Sequence, residues 1–264
     1  MTSRVPPDIP ALVTGASSGI GEEFARRLAA RGHHLTLVAR RGELLEKLAS
    51  ELSAAHSVNA ETLVADLETA RGREAVARVL RSRAPWLLVN NAGYGSRGRL
   101  AELDPSREQA EVQVNVVAVQ QLSLAALRGL ITERRGGIIN VASTAAFQPL
   151  PYMATYGATK AFILHFTEGL AYELRGTGVR AMALCPGPVA TDFHTVAGTG
   201  DYERLSRPMS MNAQRCVADA LKAFDRGAAV CIPGLLNHAL SEGPRLAPRS
   251  IVRLVTGRIF QPPG

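Results

Sequence analysis

The sequence predicts an α/β fold, a doubly wound and mostly parallel β-sheet with helices on both faces. Short apolar runs recur along the chain, and most of them end in Gly, Asn, Asp or Pro. Such near-continuous hydrophobicity is typical of strands that are buried on both faces. Because amphipathic stretches separate the runs, the pattern indicates repeated βαβ units. The predicted strands lie within residues 10–15, 34–40, 61–66, 86–93, 137–143, 179–187 and 228–234.

The stretches between the first strands predict helices that cover the sheet. Apolar residues recur at helical spacing within 24–29, 44–52 and 75–80, which gives each stretch one apolar face. We find no internal repeat and no linker, and 264 residues are enough for one large core. The sequence therefore predicts a single domain over residues 1–264, with 234–264 as a C-terminal amphipathic extension of that domain.

The net charge of +7 raises the question of an anionic partner. Such a balance can indicate a nucleic acid, an anionic membrane or an anionic ligand. The arginines are mostly scattered where predicted helices have their polar faces, and aromatic residues do not interleave with them to stack bases. We therefore expect a solvated basic surface and no nucleic-acid partner.

The cysteines and the start of the chain indicate where the protein works. Cys185, Cys216 and Cys231 form no CxxC pair, which argues against a disulfide framework or a zinc site, and we expect no catalytic metal. The start, MTSRVPPDIP, lacks the apolar core of a signal peptide. No apolar run approaches the length of a bilayer span. We expect a cytoplasmic protein.

A glycine-rich segment, TGASSGIG (14–21), follows the first predicted strand and opens the first helix. Backbone N–H groups at a helix N-terminus attract an anion, and glycines let the backbone approach it. Gly15, Gly19 and Gly21 are spaced GxxxGxG, and their position in a βαβ unit predicts a dinucleotide phosphate site. A tight turn alone would require one or two of these glycines.

The second strand ends at Arg40 and Arg41, where a protein that binds NAD usually has a carboxylate for the ribose. Guanidinium groups bind a 2′-phosphate well, so the sequence predicts NADP(H) in preference to NAD(H). The alternative is that both arginines begin the next helix in solvent. Asp66 ends the third strand, where it would accept a hydrogen bond from the adenine amino group or cap the following helix.

The segment YGATK (156–160) places Tyr156 and Lys160 four residues apart, on one face of a predicted helix. An ordinary tyrosine has a pKa near ~10 and gives up its proton reluctantly at neutral pH. A neighbouring cation lowers that pKa because it favours the phenolate. The pair therefore predicts a proton donor and acceptor, although a tyrosine and a lysine on a partly exposed helix would show the same spacing.

Six motifs together resemble the classical short-chain dehydrogenases/reductases. They are TGASSGIG, NNAG (90–93), Asn115, Ser143, YGATK and PGPVAT (186–191), and they match in order and spacing over roughly residues 10 to 233. The resemblance implies a Rossmann-type fold with a seven-stranded sheet, a nicotinamide cofactor, and hydride transfer between an alcohol and a carbonyl. It also implies a homodimer or homotetramer.

The resemblance assigns a role to each matching residue. Tyr156 would be the catalytic acid and base, Lys160 its activator, Ser143 would orient the substrate carbonyl, and Asn115 would hold a water in a proton relay. Ser143 could alternatively cap the next segment, and Asn115 could be a buried polar residue satisfied by the backbone. The expected cofactor contacts are Gly15, Ser17, Ser18, Gly19, Ile20, Gly21, Arg40, Arg41, Asp66, Asn90, Ala92, Gly93, Tyr156, Lys160, Pro186, Gly187, Val189 and Thr191.

Apolar residues after the strand ends predict a pocket for a small hydrophobic substrate. The segment 192–210 is rich in Gly, Thr and Ser and would form a lid that orders on binding. The expected pocket residues are Tyr94, Phe147, Leu150, Tyr152, Val189, Phe193 and Met209.

The C-terminal extension contains an apolar stripe, formed by Ile251, Leu254, Val255 and Ile259, and several arginines. A basic amphipathic helix can lie on an anionic membrane, which predicts a weak peripheral contact through 245–260. The alternative, which we favour, is that the stripe packs on its own domain or on a partner subunit.

These observations predict an NADP(H)-dependent oxidoreductase that acts on a small hydrophobic carbonyl or alcohol. A non-catalytic NADP(H)-binding sensor or scaffold is the alternative, but it would have no need of all four catalytic residues. An epimerase or dehydratase of nucleotide sugars shares the tyrosine–lysine pair. The glycine spacing and the short substrate region after residue 187 argue against that third reading.

Overall fold

The computed structural model describes residues 4–83, 85–189 and 210–262, except for the side chains of residues 245 and 246. A seven-stranded parallel sheet forms the centre of the molecule, with the strand order β3-β2-β1-β4-β5-β6-β7. This confirms the predicted α/β class, the seven strands and their parallel pairing. The strands are β1 (Ala11–Thr14), β2 (Leu35–Ala39), β3 (Ala60–Val64), β4 (Leu87–Asn90), β5 (Gly137–Val141), β6 (Arg180–Leu184) and β7 (Val230–Cys231).

Helices cover both faces of the sheet, because successive strand residues point to opposite sides. Ala11 and Val13 of β1 belong to one hydrophobic core cluster, which also contains residues of the first, second and seventh helices. Leu12, between them, belongs to a second core cluster, which contains residues of the third, fifth and sixth helices. The helices in chain order are α1 (Gly19–Ala30), α2 (Gly42–His56), α3 (Ala70–Ser82), α4 (Pro105–Val112), α5 (Val119–Glu133), α6 (Ala154–Glu173), α7 (Ala213–Asp225), α8 (Leu235–Leu246) and α9 (Arg249–Phe260).

Strand β3 differs from the expectation that the strands are buried on both faces. Glu61 and Thr62 are exposed, and the side chain of Val64 is 59% exposed. The reason is that β3 is an edge strand, paired only with β2 within the described chain. The hydrophobic run at 61–66 therefore correctly predicted a strand but not its burial.

The helix that precedes β5 contains a local change of winding. Residues Gln113–Ala118 form a π-helical turn between α4 and α5, so that Pro105–Glu133 is helical throughout. By length and composition this stretch could cross a membrane, contrary to the expectation that no segment is long and apolar enough. Core helices of globular proteins pass the same test, and α5 packs against α3 through side chains such as Leu122 and Ala126, which are buried.

Candidate active site

A cleft of about 1130 Å³ lies beyond the carboxyl ends of the strands. The segments that follow β1 to β6 all contribute to its walls, and α8 and α9 close one side. In an open parallel sheet this is where ligands bind, at the point where the strand order reverses. Here the reversal falls at β1, which lies between β2 and β4.

The glycine-rich turn lies at the start of α1, and most of its residues line the cleft. Gly15 and Gly19 have positive φ angles of 65° and 61°, which L side chains rarely adopt. Gly21 does not line the cleft; a Cβ there would lie 2.2 Å from the carbonyl oxygen of Gly15. Gly21 therefore lets the turn fold closely onto α1. The residues of this turn that line the cleft are Gly15, Ser17, Ser18, Gly19 and Ile20.

The NNAG segment is hydrogen-bonded to the end of β1. The Thr14 hydroxyl accepts hydrogen bonds from the backbone N–H groups of Asn91 and Ala92, both at 3.0 Å. The Asn91 side chain donates to the carbonyl oxygens of Thr14 and Gly15, at 2.9 and 3.2 Å. Ala92 and Gly93 line the cleft. These bonds hold the glycine-rich turn and the NNAG segment side by side.

Asn90 does not reach the cleft, contrary to the expectation that it borders the cofactor. Its side chain is buried within the sheet and donates to Asn140 at 2.9 Å and to Ser123 at 3.2 Å. Asn140 in turn donates to the Thr167 hydroxyl at 2.9 Å. Asn90 is the last residue of β4, and its amide group joins β4 to β5 and α5 instead.

The two arginines after β2 both line the cleft but have different partners. Arg40 forms an exposed salt bridge of 2.9 Å with Glu68. Arg41 donates hydrogen bonds to the hydroxyls of Ser17 and Ser18, at 2.9 and 2.8 Å. Arg41 also immediately precedes α2. A residue at the start of this helix can therefore line the cleft as well, and the two interpretations of Arg41 do not exclude each other. The guanidinium of Arg41 is thus held against the phosphate-binding turn.

Asp66 lines the cleft and does not cap α3. Its Oδ1 atom accepts a hydrogen bond of 3.0 Å from the backbone N–H of Glu68. The capping residue of α3 is Thr69, whose hydroxyl accepts from the N–H of Gly72 at 3.0 Å. The capping alternative is therefore wrong, and a contact between Asp66 and an adenine ring stays a prediction.

Tyr156 and Lys160 of α6 line the cleft together with Ser143, which follows β5. The Nζ atom of Lys160 lies 5.7 Å from the centroid of the Tyr156 ring and donates to the carbonyl oxygen of Val141 at 2.9 Å. Ser143 lies at the cleft, and its hydroxyl also accepts from the N–H of Ala145 at 3.1 Å, so it caps a short 3-10 helix as well.

Burial lowers the pKa of Lys160 to about 8, because a charged ammonium is disfavoured away from water. The negative charge of the Glu111 carboxylate opposes this shift. Lys160 is almost inaccessible, with 4% of its surface exposed. A lysine in such a site titrates close to the physiological range, which makes its charge sensitive to its neighbours.

Asn115 lies behind the cleft and does not line it. Its side chain accepts a hydrogen bond from the N–H of Tyr94 at 3.2 Å, and donates to the carbonyl oxygen of Tyr94 and the hydroxyl of Thr159 at 2.8 and 3.0 Å. A Cβ at Gly93 would lie 2.8 Å from the Asn115 Oδ1 atom. The amide therefore fixes the NNAG segment against α6, and Asn115 lies in the π-helical turn, a feature frequent at functional sites.

The segment after β6 lines the cleft through Pro186, Gly187 and Val189. A Cβ at Gly187 would lie 2.4 Å from the Oδ1 atom of Asn237, on α8. No local pattern predicts this contact, because it joins segments that are distant in the chain. Thr191, Phe193 and Met209 lie outside the described residues.

The expected substrate pocket is only partly correct. Tyr94 and Leu150 line the cleft, as Val189 does. Phe147 does not; its ring packs against the cluster that contains Ala146 and Ile163. Tyr152 lines a separate groove on the other side of α9. Phe147 and Tyr152 differ from the expectation because the 3-10 turn and the bend after β5 determine where their side chains point.

Helix α9 contributes much of the apolar wall of the cleft, and the sequence did not predict this position for the helix. Ile251, Val255 and Ile259 line the cleft, whereas Leu254 faces the groove on the other side. Thr256 donates to the carbonyl oxygen of Pro149 at 3.0 Å, which ties α9 to the domain. The sequence shows the apolar stripe, but it does not show that most of the stripe lines the cleft. The residues of α9 that pack inward are Val252, Thr256 and Phe260.

Acidic, histidine and cysteine side chains do not gather at the cleft as a metal site would require. Among the residues that the structure describes, no group of three or more His, Cys, Asp or Glu could hold a metal ion. The three cysteines are buried free thiols, and burial raises the pKa of Cys185 and Cys216 to about 12 and that of Cys231 to about 11.

The cleft thus joins a glycine-rich phosphate turn to a tyrosine–lysine pair, a combination that defines dinucleotide-binding oxidoreductases of the α/β class. Residues 10–200 match the family model described as short chain dehydrogenase. The chain belongs to the short-chain dehydrogenase family. This confirms the resemblance that the motifs carry.

Similar proteins are found among both sequences and solved structures. The chain is 35% identical over 208 residues to the NADP-dependent 3-hydroxy acid dehydrogenase YdfG of Salmonella typhi, covering 74% of this chain and 79% of that protein. It is 31% identical over 188 residues to the inactive hydroxysteroid dehydrogenase-like protein 1 of Homo sapiens, covering 69% of this chain. That match spans 56% of the human protein, so the chain corresponds to little more than half of that relative.

The fold also matches a solved structure over nearly its whole length. A short-chain dehydrogenase from Sphingobium yanoikuyae, in complex with NADPH, is 33% identical and superposes with a TM-score of 0.83. The match covers 97% of this chain and 98% of that chain. The Rossmann-like architecture therefore extends through the C-terminal helices.

Proposed function

We propose that this protein is an NADP(H)-dependent oxidoreductase that transfers a hydride between nicotinamide and a hydrophobic carbonyl or alcohol. The observation that carries the proposal is that Tyr156, Lys160 and Ser143 line the same cleft as the glycine-rich turn. Membership of the family supports the reaction class. The cofactor form and the substrate class rest on the residues argued below.

The residues present fit a dinucleotide. Gly15 and Gly93 leave the floor of the cleft without side chains, since a Cβ at either position would lie within 3 Å of an asparagine side chain. The N-terminus of α1 would meet the pyrophosphate, as helix N-termini meet anions. Arg41 and Arg40 would hold the 2′-phosphate of NADP(H). The NADPH complex of the Sphingobium protein and the NADP dependence in the name of the Salmonella enzyme agree with that choice.

The bound cofactor would supply or accept the hydride. The residues of the chain itself would handle the proton that is transferred to or from the substrate oxygen. Tyr156 would donate its phenolic proton to the carbonyl oxygen during reduction and take it back during oxidation. The Lys160 ammonium would favour the phenolate, since an opposite charge nearby lowers the pKa of an acid. Ser143 would donate a second hydrogen bond to the oxygen on which negative charge develops.

The apolar wall favours a hydrophobic substrate. Beyond Tyr156 the cleft is bordered by Leu150, Met153 and the α9 residues Val255 and Ile259. Apolar lining with a few convergent polar groups is usual for small-molecule sites. A Val255→Ser variant should weaken binding of an apolar ketone, whereas Leu254→Ser, on the other side of α9, should not. Equal effects of the two substitutions would argue against the cleft as the substrate site.

A non-catalytic cofactor-binding protein remains the second candidate, because one relative is named inactive. This chain keeps Asn115, Ser143, Tyr156 and Lys160, which a sensor would not require together. The two candidates differ in turnover. A sensor would bind NADPH and reduce none of a panel of apolar ketones and aldehydes, while an oxidoreductase would consume NADPH with at least one of them.

The first experiment is a fluorescence titration of the purified protein with NADPH and with NADH. We expect tight binding of NADPH and weaker binding of NADH, because only NADPH carries a 2′-phosphate for Arg41 to bind. The ketone panel is then screened by the loss of nicotinamide absorbance. Binding of neither cofactor would contradict the proposal, and equal binding of both would contradict its cofactor form.

We further propose that the protein works in the cytoplasm as a homodimer or homotetramer. Oligomerisation is tested by light scattering after size exclusion, and a monomer at micromolar concentration would contradict it. The burial of Val252, Thr256 and Phe260 supports packing of α9 on its own domain over a membrane contact through 245–260, although Ile251, Val255 and Ile259 are about half exposed.

A further inference from the structure

Glu111 is a buried carboxyl group without an evident role in the fold. It lies near the end of α4 with 0% of its surface exposed, and neither carboxylate oxygen has a donor in good hydrogen-bond geometry, although the Ser96 hydroxyl lies close enough to favour the ionised form. Its neighbour on the same helix, Glu108, differs because one of its oxygens accepts a hydrogen bond from Thr155. Burying an unpaired carboxylate is unfavourable, so a fold that keeps one has a use for its charge or its proton.

The surroundings of Glu111 make it titrate near neutrality. Burial raises its pKa to about 7, and the negative charge of Glu108 adds to the shift. The Ser96 hydroxyl and the positive charges of Lys160 and Arg107 act in the opposite direction. Glu111 therefore changes its charge within the range in which enzymes of this kind are assayed.

Lys160 is the active-site group that responds to Glu111. Burial lowers the pKa of Lys160, and the Glu111 carboxylate is the charge that most opposes this lowering. The link is also structural, because α4 packs against α6, the helix that carries Lys160. Glu111 is one turn before Asn115 and does not line the cleft, so it contacts the reacting groups only through other residues.

We propose that Glu111 is a positioning residue that stabilises the Lys160 ammonium from behind the active site and so determines how far into alkaline pH the tyrosine–lysine pair stays functional. Its catalytic consequence rests on the proposed oxidoreductase function; its electrostatic action on Lys160 does not. Lys160 must be charged to favour the Tyr156 phenolate. An ionised Glu111 extends the range in which it is charged.

The composition of the chain permits a direct test. The sequence has three lysines, Lys47, Lys160 and Lys222, and only Lys160 is buried. In protein labelled with ¹³C and ¹⁵N at lysine, the side-chain signals can be followed by NMR across pH 5 to 11, and a Lys160→Arg variant assigns the signal. We expect Lys160 to titrate near pH 8, well below the ordinary value of 10.5 for a lysine.

The deciding comparison is between two isosteric substitutions on α4. Glu111→Gln should move the Lys160 midpoint to lower pH than in the parent protein, because the main opposing charge is gone. Glu108→Gln should leave it unchanged, because Glu111 is already ionised where Lys160 titrates. An unchanged Lys160 midpoint in Glu111→Gln, or an equal shift in both variants, would overturn the proposal.

The parent protein offers a second measurement that does not require any variant at position 111 to fold. Since the pKa of Glu111 is about 7, the Lys160 signal should show a second, smaller inflection near that pH. A single inflection for Lys160 would contradict the coupling. Glu111→Asp, which keeps the charge, should retain the inflection.

A kinetic readout separates this proposal from the function on which it rests. NADPH-dependent reduction of butyrophenone, as the carbonyl probe, is measured against pH for the parent and Glu111→Gln. We expect the alkaline limit of kcat to move to lower pH in the variant. Shifted Lys160 signals with no reduction of any ketone by either protein would refute the oxidoreductase function but not the coupling, whereas activity with unshifted signals would refute only the coupling.

Discussion

The ammonium of Lys160 donates a hydrogen bond of 2.9 Å to the carbonyl oxygen of Val141, the last residue of β5. This bond crosses from α6 to the edge of the sheet where the cleft opens. It holds the Nζ atom beside the ring of Tyr156 on the inner face of the helix. The position of the charge is thus determined by the sheet and not by the helix alone.

Replacement of Tyr156 by phenylalanine removes the proton donor and little else. We expect Tyr156→Phe to bind NADPH with unchanged affinity and to lose turnover by about 100-fold or more, the range typical of general acid–base catalysis. Tyr172→Phe is the matched control, since Tyr172 lies on the same helix and is 68% exposed. Initial rates and a cofactor titration check both. Retained turnover in Tyr156→Phe would contradict the proposed mechanism.

The buried ammonium of Lys160 should make stability depend on pH. Its pKa is about 8 in the folded protein and near 10.5 in the unfolded chain, so the unfolded state binds more protons between these values. The free energy of unfolding should therefore rise with pH across that window for this group, because the cost of burying the charge is relieved. Lys160→Met lacks this contribution.

Urea unfolding of the parent protein and Lys160→Met at pH 7.5 and pH 10 measures the effect. The stability of the parent relative to the variant should be higher at pH 10 than at pH 7.5. A difference that is constant with pH would show that Lys160 does not titrate in this window.

The two arginines at the cleft should contribute unequally to cofactor choice. Arg41 is held by the hydroxyls of Ser17 and Ser18, whereas Arg40 is engaged by Glu68. We expect Arg41→Ala to weaken NADPH binding by about tenfold or more, as for a lost charge-assisted hydrogen bond, and NADH binding little. Arg40→Ala should show the same preference with a smaller loss.

Fluorescence titrations with both cofactors, for both variants, provide the check. Arg99→Ala, at an exposed arginine outside the cofactor cleft, serves as the control for net charge. Equal losses for NADPH and NADH in Arg41→Ala would remove the assignment of a 2′-phosphate site.

Two glycines in helices should respond oppositely to alanine. A Cβ at Gly72 would lie 1.9 Å from the carbonyl oxygen of Asp66, so Gly72→Ala must displace the turn before α3 and should destabilise the fold. Gly169 on α6 has no atom within 4 Å of such a Cβ. Gly169→Ala should therefore raise the free energy of unfolding by up to about 1 kcal/mol, the difference in helix propensity.

Thermal or urea unfolding of both variants tests the pair. Because Asp66 lines the cleft, Gly72→Ala should also weaken cofactor binding, and Gly169→Ala should not. A stable Gly72→Ala variant with normal binding would mean that the turn can shift at little cost.

Local patterns in the sequence were sufficient for the strands, the glycine-rich turn and the tyrosine–lysine helix. Each of these depends on neighbours close in sequence: Gly15 must adopt a positive φ, and Tyr156 and Lys160 are one turn apart. What could not be predicted depends on packing between distant segments. Phe147 packs, partly buried, against a core cluster, and the side chain of Asn237 lies against Gly187.

Burial was the property that the sequence predicted least well. The run at 61–66 has the composition of an inner strand, but the strand order leaves it at the edge. Glu111 is a charged residue of a type that is usually exposed, yet the packing of α4 buries it completely. In both cases the decisive information is which element lies alongside, and no local pattern contains it.

The strand order also has a consequence for how the protein folds. β1 pairs with β4, which follows it in the chain only after α1, α2 and α3, so the centre of the sheet closes a long stretch of backbone. Non-local parallel pairing of this kind forms slowly. The bonds from Asn91 to Thr14 and Gly15 span the same junction. The cleft is lined from both halves of the sheet, so a ligand that contacts both would stabilise their pairing across β1 and β4.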